Sequence, residues 1–150
     1  MEAAPFATDP FMLAGPVPRG EGAEALAWAQ GAPVKLDELG SAGVLLLEEG
    51  HCLRDQALAA CATADLHELA FRATSLPTLV QMVAAGLGLT LLPRLAVATE
   101  TQRAALRIRP VADAPTRTLV VCWRRGSPLE AVGRRIAEIA TTAAGSLSTV

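Results

Sequence analysis

Two cysteines, Cys52 and Cys61, stand nine positions apart in a segment of strong helix formers that runs from His51 to about Ala62. Cys52 lies where this predicted helix begins, directly after His51 and two residues before Arg54. A thiol at a helix N-terminus ionises more readily, because it meets unpaired amides and the positive end of the backbone dipole. The thiolate, not the thiol, attacks electrophiles such as a peroxide oxygen. Cys52 is therefore a candidate reactive thiol, and an inert buried residue is the plain alternative.

A helix through this segment keeps the two sulfurs apart. Nine residues advance a helix by roughly 13 Å along its axis and by about half a turn around it. A disulfide requires α-carbons about 4.4–6.8 Å apart. A bond between Cys52 and Cys61 would therefore require the helix to unwind, which would make the segment a two-state element driven by oxidation. The spacing is compatible with such a switch and equally with two unrelated thiols.

The rest of the chain predicts an α/β fold. Short apolar runs bounded by turn residues predict strands at PFMLAGP, GVLLLEEG, ELAFRAT, LGLTLLP, LRIRPV and RTLVVCW. LDEL predicts a single helical turn, and residues 17–34 predict a loop with one short turn. Since strands alternate with helices, we expect β-α-β units around a mainly parallel sheet.

Two further helices have clear N-terminal signals. Ser75 can cap the first, because its side chain accepts from amides of the first turn. The predicted buried stripe of that helix comprises Leu76, Leu79, Val80 and Val83. The second helix is predicted to open on a capping box from Ser127 to Glu130. Its predicted apolar face comprises Leu129, Val132, Ile136, Ile139 and Ala140. Alternation along the last strand predicts Cys122 in the core, and His67 is expected on the surface.

Composition limits the classes of protein. A chain of 150 residues, 51% of them hydrophobic, suits one ordinary domain. No apolar run approaches the roughly eighteen residues of a membrane span and no secretory signal is visible, so we expect a cytoplasmic protein without membrane contact. Three cysteines and two histidines without C-x-x-C spacing predict no disulfide framework and no metal site, and no cofactor is expected. A net charge of −2 with dispersed arginines favours ion pairs over a DNA-binding patch.

GHCLRDQAL followed by Cys61 closely resembles the peroxide-sensing segment of LysR-type transcription regulators. FRATSLPTLVQMVAAGLGLTLLPRLAV is typical of LysR effector domains generally, and with RTLVVCWRRGSPL the match covers about residues 5–143. The resemblance implies an α/β, periplasmic-binding-protein-like effector domain whose second subdomain is complete and whose first is partial. It assigns residues 1–14 to a remnant of the first subdomain, 15–119 to the second subdomain with the redox segment, and 120–150 to the closing strand and helix of the first.

The same resemblance implies roles for the residues of the segment. In that family the cysteine matching Cys52 is oxidised by hydrogen peroxide, and the cysteine matching Cys61 resolves it as a disulfide. Carried over to this chain, His51 and Arg54 would help to hold the thiolate, and Asp55 would orient them. A glutaredoxin-type reductant would restore the two thiols.

Two residues outside the segment are also implicated by the resemblance. Arg117 matches an arginine associated with the peroxide pocket, and Ser75 lies where effector domains of the family often contact an anionic inducer. The regulatory domain would form a homo-oligomer, and DNA would be bound only through an N-terminal winged helix-turn-helix. Since that domain and the first part of the effector domain have no counterpart here, we expect a fragment with some exposed apolar surface.

Three functions are compatible with these features. The first is redox sensing within a peroxide-responsive regulator. The second is a LysR effector domain that binds a small anionic inducer and whose cysteines are incidental. The third is a thiol peroxidase, which ranks last because neither a reductant-docking motif nor a peroxidase motif is visible. We therefore expect a protein that is not an enzyme.

Overall fold

The computed structural model describes residues 1–18, 33–39, 42–64 and 66–147, so most of the loop predicted at 17–34 lies outside the described residues. The fold is mixed α/β, as predicted. Its strands are β1 (Glu2–Pro16), β2 (Gly43–Leu47), β3 (His67–Ala73), β4 (Thr90–Pro93), β5 (Leu106–Pro110) and β6 (Thr116–Trp123). Its helices are α1 (Cys52–Thr63), α2 (Leu76–Ala84), α3 (Arg94–Glu100) and α4 (Glu130–Leu147), with a 3-10 turn at Leu36–Leu39. Of these elements, α3 was not predicted.

The chain divides into two compact units: unit 1 is residues 1–10 with 116–150, and unit 2 is residues 11–115. The long strand β1 contributes its first part to unit 1 and its second part to unit 2. In unit 1 it pairs antiparallel with β6, and in unit 2 it pairs antiparallel with β4 and β5. The assignment of these stretches to the two subdomains of an effector domain remains a prediction.

The predicted mainly parallel sheet is wrong for β1. Its partners β4, β5 and β6 come from much later in the chain, and all three run antiparallel to it. Two consecutive strands joined by a single helix usually run parallel in the same sheet. β1 and its partners are not consecutive strands, so this rule does not set their relative direction. β2 and β3 are joined by α1, and these two strands do form a parallel ladder.

β2 is buried on both faces, which explains its uninterrupted apolar sequence GVLLL. One face belongs to a core cluster that includes Val44, Leu46, Ala57, Ala60 and Cys61. The other face belongs to a cluster that includes Leu45, Leu47, Ala73, Leu79 and Val83. Since the first cluster contains residues of α1 and the second contains residues of α2, the two helices cover opposite faces of β2.

The predicted cap and stripe of α2 are confirmed. Ser75 has extended backbone, and its Oγ accepts a hydrogen bond from the Thr78 amide at 3.3 Å. The fully buried residues of the stripe are Leu79, Val80 and Val83. After the helix ends at Ala84, Gly86 adopts a φ of +86°, which favours glycine.

In unit 1, α4 packs on β6 through small residues. Gly133 lies against the ring of Trp123, and a Cβ built on Gly133 would stand 2.8 Å from Cε3 of that ring. Ala137, one turn further, is buried as well. The predicted apolar face is exposed, and the exposed residues are Leu129, Val132, Ile136 and Ile139. The expected exposed apolar surface is therefore confirmed on this helix.

The predicted capping box before α4 forms only in part. Ser127 Oγ accepts from the Leu129 amide at 3.1 Å, as a cap does. The Glu130 carboxylate does not return to the cap but accepts from Arg134 at 2.8 Å. The guanidinium lies four residues further along the same helix face, and it is a stronger partner for a carboxylate than a backbone amide.

The prediction that Cys122 lies in the core is wrong, because Cys122 is exposed. Side chains of β6 alternate between two faces, and Cys122 shares the outer face with Val120, which is 43% exposed. Trp123, the last residue of β6, lies on the inner face and is buried. His67 is exposed, as expected. None of the helices among the described residues combines the length and the apolar composition that crossing a membrane would take.

Candidate functional site

Cys52 is the first residue of α1 and is exposed to solvent. The chain reaches it through Gly50, whose φ of +91° favours glycine, and through His51, whose backbone is extended. His51 is the N-cap residue, but its side chain makes no capping hydrogen bond. The Arg54 amide donates to the backbone carbonyl of His51 at 2.9 Å, but no first-turn amide has a side-chain acceptor from the cap, so this helix start is weaker than one capped by Ser or Asp.

Cys61 occupies the opposite environment in the same helix. It is only 4% exposed, and it packs in the core cluster beside Ala57 and Ala60. Burial, together with the negative charge of Glu68, raises the pKa of the Cys61 thiol from 9.0 to about 11. Cys61 is therefore a protonated, shielded thiol while α1 is folded. All three cysteines of the chain are free.

The leucines of α1, Leu53 and Leu58, are only partly buried against the core, and its fully buried side chains are small or charged. Its buried residues are Arg54, Ala57, Ala60 and Cys61. Apolar burial stabilises by about 25 cal/mol per Å², so alanines stabilise a helix less than the leucine and valines that α2 buries. Segments with few buried apolar contacts open at the smallest cost in free energy. α1 is therefore easier to unwind than α2.

A chain of ion pairs ties the start of α1 to β3. Arg54 Nη2 donates to Glu68 Oε1 at 2.9 Å, and Arg72 Nε donates to the same oxygen at 3.1 Å. Arg72 Nη1 then reaches Glu49 Oε1 at 3.5 Å. We call these four residues, Glu49, Arg54, Glu68 and Arg72, the ionic network. Of these four residues, Arg54 alone was predicted from the sequence as a site residue. The sequence did contain one indication of the network: Glu68 and Arg72 lie four residues apart in a predicted strand, and side chains at that spacing share a face.

Arg117 belongs to unit 1, and its partner there is Asp9. Nη2 and Nε of Arg117 donate to Oδ2 of Asp9 at 2.8 and 3.0 Å, which joins β6 to β1. The Asp9 side chain is 1% exposed and that of Arg117 is 25% exposed. Cys52, by contrast, belongs to unit 2. The predicted role of Arg117 beside the thiolate therefore stays a prediction.

The remaining predicted site residues lie at two helix starts. Asp55 is exposed in the first turn of α1, where a carboxylate interacts favourably with the helix dipole. Ser75 caps α2, and its hydroxyl also lies 2.9 Å from the Thr78 hydroxyl. Within the described part of the chain, no group of three or more His, Cys, Asp or Glu side chains could hold a metal ion.

Comparison with known proteins identifies the family of this site. The family model of the LysR substrate binding domain matches residues 1–145. The chain belongs to this family. Its fold class, a LysR-type effector domain with a periplasmic-binding-protein-like fold, is thereby confirmed. The LysR family comprises transcription regulators and is not a family of enzymes.

Similar proteins in this LysR family include peroxide regulators, which confirms the predicted resemblance. The chain is 46% identical over 113 residues to the DNA-binding transcriptional dual regulator OxyR of Escherichia coli, a match covering 74% of this chain and 37% of that protein. A solved reduced form of OxyR is 37% identical, with a TM-score of 0.75, over 94% of this chain and 63% of the other. A solved oxidized form is 39% identical, with a TM-score of 0.72, over 94% and 64%. The chain thus spans little more than a third of the curated relative's length.

Proposed function

We propose that this chain is the redox-sensing part of a LysR-family transcription regulator that responds to hydrogen peroxide. The observation that carries the proposal is the contrast between two free thiols in one helix, Cys52 exposed at its start and Cys61 buried nine residues later. The similarity to OxyR of Escherichia coli, and to solved reduced and oxidized forms of OxyR, supports the same function.

The chemistry proceeds in two steps. In the first, the Cys52 thiolate attacks one oxygen of hydrogen peroxide, the O–O bond breaks, and the products are a sulfenic acid on Cys52 and hydroxide. In the second, the Cys61 sulfur attacks the Cys52 sulfur, the S–O bond breaks, and the released hydroxide takes the proton of Cys61 to give water. The protein loses two electrons and the peroxide gains them.

The second step requires α1 to unwind. With the helix intact, the two α-carbons are separated by roughly 13 Å along the axis, far beyond the reach of a disulfide. Cys61 must leave the core, where its raised pKa keeps it protonated. Once it reaches water, its pKa returns towards the ordinary value and the thiolate needed for attack becomes accessible. The disulfide and the helix are therefore alternative states of one segment.

The neighbouring residues take supporting roles in this proposal. His51 and Arg54 flank Cys52 in the chain and help to hold its thiolate in place, and Asp55 orients them. Arg117 acts as a further cation of the peroxide site. A glutaredoxin-type dithiol would return two electrons by thiol–disulfide exchange and allow α1 to reform.

The remaining partners belong to the whole regulator. In this proposal DNA is bound through a domain outside the present chain, the regulatory domain assembles as a homo-oligomer, and the protein acts in the cytoplasm. A reducing compartment is required because the resting state has free thiols at both positions.

Treatment with one equivalent of hydrogen peroxide tests the proposal. Alkylation followed by peptide mass spectrometry should find a Cys52–Cys61 crosslink, and circular dichroism should record a loss of helix that dithiothreitol reverses. C52S and C61S should abolish the crosslink, whereas C122S, which removes the remaining thiol, should retain it. Free Cys52 and Cys61 after peroxide treatment would reject the proposal. Sustained consumption of excess peroxide with a thiol donor would instead indicate a peroxidase.

A second candidate function is the binding of a small anionic inducer. The observation in its favour is that Ser75 and the first-turn amides of α2 form a capped helix start, which suits a carboxylate. An anion that raises the melting temperature of the wild-type chain but not of S75A, without any effect of peroxide on the thiols, would favour this candidate over redox sensing.

A further inference from the structure

The ionic network holds the chain on both sides of Cys52. Glu49 lies three residues before Cys52 and Arg54 lies two residues after it. Both are tied to β3, Glu49 through Arg72 and Arg54 through Glu68. The network therefore links both segments to the same neighbouring strand, strongly through the buried Arg54–Glu68 pair and weakly through the exposed Arg72–Glu49 pair.

Glu68 is the central member of this network. A single oxygen, Oε1, accepts from both Arg54 and Arg72. The Arg54 side chain is only 9% exposed, and its Nε has no hydrogen-bond partner among the described residues. A buried cation depends on its counter-ion, because removing one partner of a buried pair leaves an uncompensated charge. The carboxylate of Glu68 therefore stabilises the folded position of Arg54, and with it the start of α1.

We propose that Glu68 is a positioning residue of the redox switch, which acts through Arg54 to hold α1 folded and so delays disulfide closure after Cys52 is oxidised. This inference rests on the proposed function and names a residue that controls its second step. Glu68 forms no bond in either chemical step. It sets how often the helix opens far enough for the Cys61 sulfur to displace hydroxide from the Cys52 sulfenic acid.

The two chemical steps depend on this residue differently. Oxidation of Cys52 takes place with α1 folded, since Cys52 is already exposed. Closure takes place only after Arg54 has left Glu68 and Cys61 has left the core. The negative charge of Glu68 also contributes to the raised pKa of Cys61 in the folded state, so this thiol stays protonated until it leaves the core. Loss of the carboxylate should therefore accelerate the second step alone.

The test compares E68Q with wild type in the whole chain. We expect E68Q to close the Cys52–Cys61 disulfide roughly 3- to 30-fold faster after a pulse of peroxide, because the neutral amide oxygen of Gln accepts from Arg54 more weakly than a carboxylate does. E68D should restore the wild-type rate. E48Q is the matched control, because Glu48 is an exposed glutamate outside the network. In a C61S background, trapping with a dimedone-type reagent should give the same rate of Cys52 sulfenic acid formation for all these variants.

Three results would overturn the inference: an unchanged closure rate in E68Q, equal acceleration of both steps, or equal acceleration by E68Q in an R54M background. The last would show that Glu68 does not act through Arg54. Hydrogen exchange without oxidant tests the inference separately from the proposed function. Amides of α1 should exchange faster in E68Q while those of α2 and β4 keep the wild-type rate, which also rules out general unfolding. If wild type forms no disulfide, the proposed function fails, and the exchange of α1 amides still decides whether Glu68 holds the helix.

Discussion

Cys52 opens α1 in contact with solvent, whereas Cys61 lies two residues before the end of the same helix and is buried in the core. Peroxide can therefore reach one thiol without any movement of the chain, and the other becomes available only after the helix opens. The order of the two oxidation steps follows from this asymmetry. The second step should also depend on the stability of α1, because the helix must open before Cys61 can react. Substitutions far from either sulfur can change that stability.

Glycine at an exposed position of α1 should accelerate disulfide formation. Ala59 is exposed and lies between the two cysteines, so A59G removes no core contact and lowers the stability of the folded helix by about 1 kcal/mol. If opening of α1 limits closure, the disulfide should form roughly fivefold faster. Quenching with acid and mapping the alkylated peptides at successive times after a peroxide pulse measures the rate.

The matched control for this prediction is the same substitution in another helix. Ala143 is an exposed residue of α4, and A143G should destabilise α4 without changing the rate of closure. Equal rates for A59G and wild type would show that opening of α1 does not limit the reaction.

The raised pKa of Cys61 should make the stability of unit 2 fall at alkaline pH. Below pH 9.0, the ordinary value, both the folded and the unfolded state keep the proton and the stabilisation is complete. Between pH 9.0 and about 11 the unfolded state loses its proton while the folded state retains it, so the free energy of unfolding declines as pH rises. At the upper end the loss should reach about 2 kcal/mol.

Urea unfolding of wild type and C61A across this range measures the effect. The chain contains no tyrosine, and its lysine Lys35 titrates in both proteins, so the difference between them isolates Cys61. Identical slopes of stability against pH for the two proteins would contradict the assignment of the raised pKa to this thiol.

Local patterns along the chain predicted most of the elements around the site. The helix with its two cysteines, the Ser75 cap and the fully apolar strand β2 each follow from residues close together in sequence, and the structure confirms all three. Their formation depends on local propensity, on satisfied backbone amides and on burial, which a short window of sequence contains.

The features that the sequence did not predict depend on distant residues. The antiparallel pairing of β1 with β6 brings together segments about a hundred positions apart in sequence. The alternation of side chains in β6 predicted two faces but did not indicate which of them would be buried, so Cys122 was placed on the wrong one. Glu68 was missed for the same reason, since its partner Arg54 lies fourteen positions away and on a different element. The resemblance to LysR regulators identified the candidate thiols but did not reveal what holds them apart.

Neutralising Asp9 should destabilise unit 1. The Asp9 carboxylate is almost fully buried and accepts two hydrogen bonds from Arg117, so D9N leaves the guanidinium without its counter-ion. Breaking a buried pair costs several kcal/mol, and because Arg117 is partly exposed we expect about 1–3 kcal/mol. Amide exchange in β6 should accelerate accordingly, and the exposed substitution D37N should leave it unchanged. Unaltered exchange in D9N would show that this pair contributes little to the pairing of β1 with β6.

Alanine should have opposite effects at two glycines of α4. At Gly133 the added methyl would meet the Trp123 ring at 2.8 and 3.1 Å, and a flat ring held between helix and strand has little freedom to move away. Overpacking of this kind costs about 1–3 kcal/mol, more than the roughly 1 kcal/mol that alanine gains over glycine in a helix. G133A should therefore lower the melting temperature of the chain.

At Gly145 the same methyl meets no atom of the described residues within 4 Å beyond its own stretch of helix, so only the gain in helix propensity remains. G145A should raise stability by a few tenths of a kcal/mol, since the position lies near the end of α4 where helices fray. Thermal unfolding followed by circular dichroism compares the two variants with wild type. Stabilisation by both alanines would show that Trp123 yields to the methyl, and that the closeness of Gly133 to the ring does not set how α4 packs on β6.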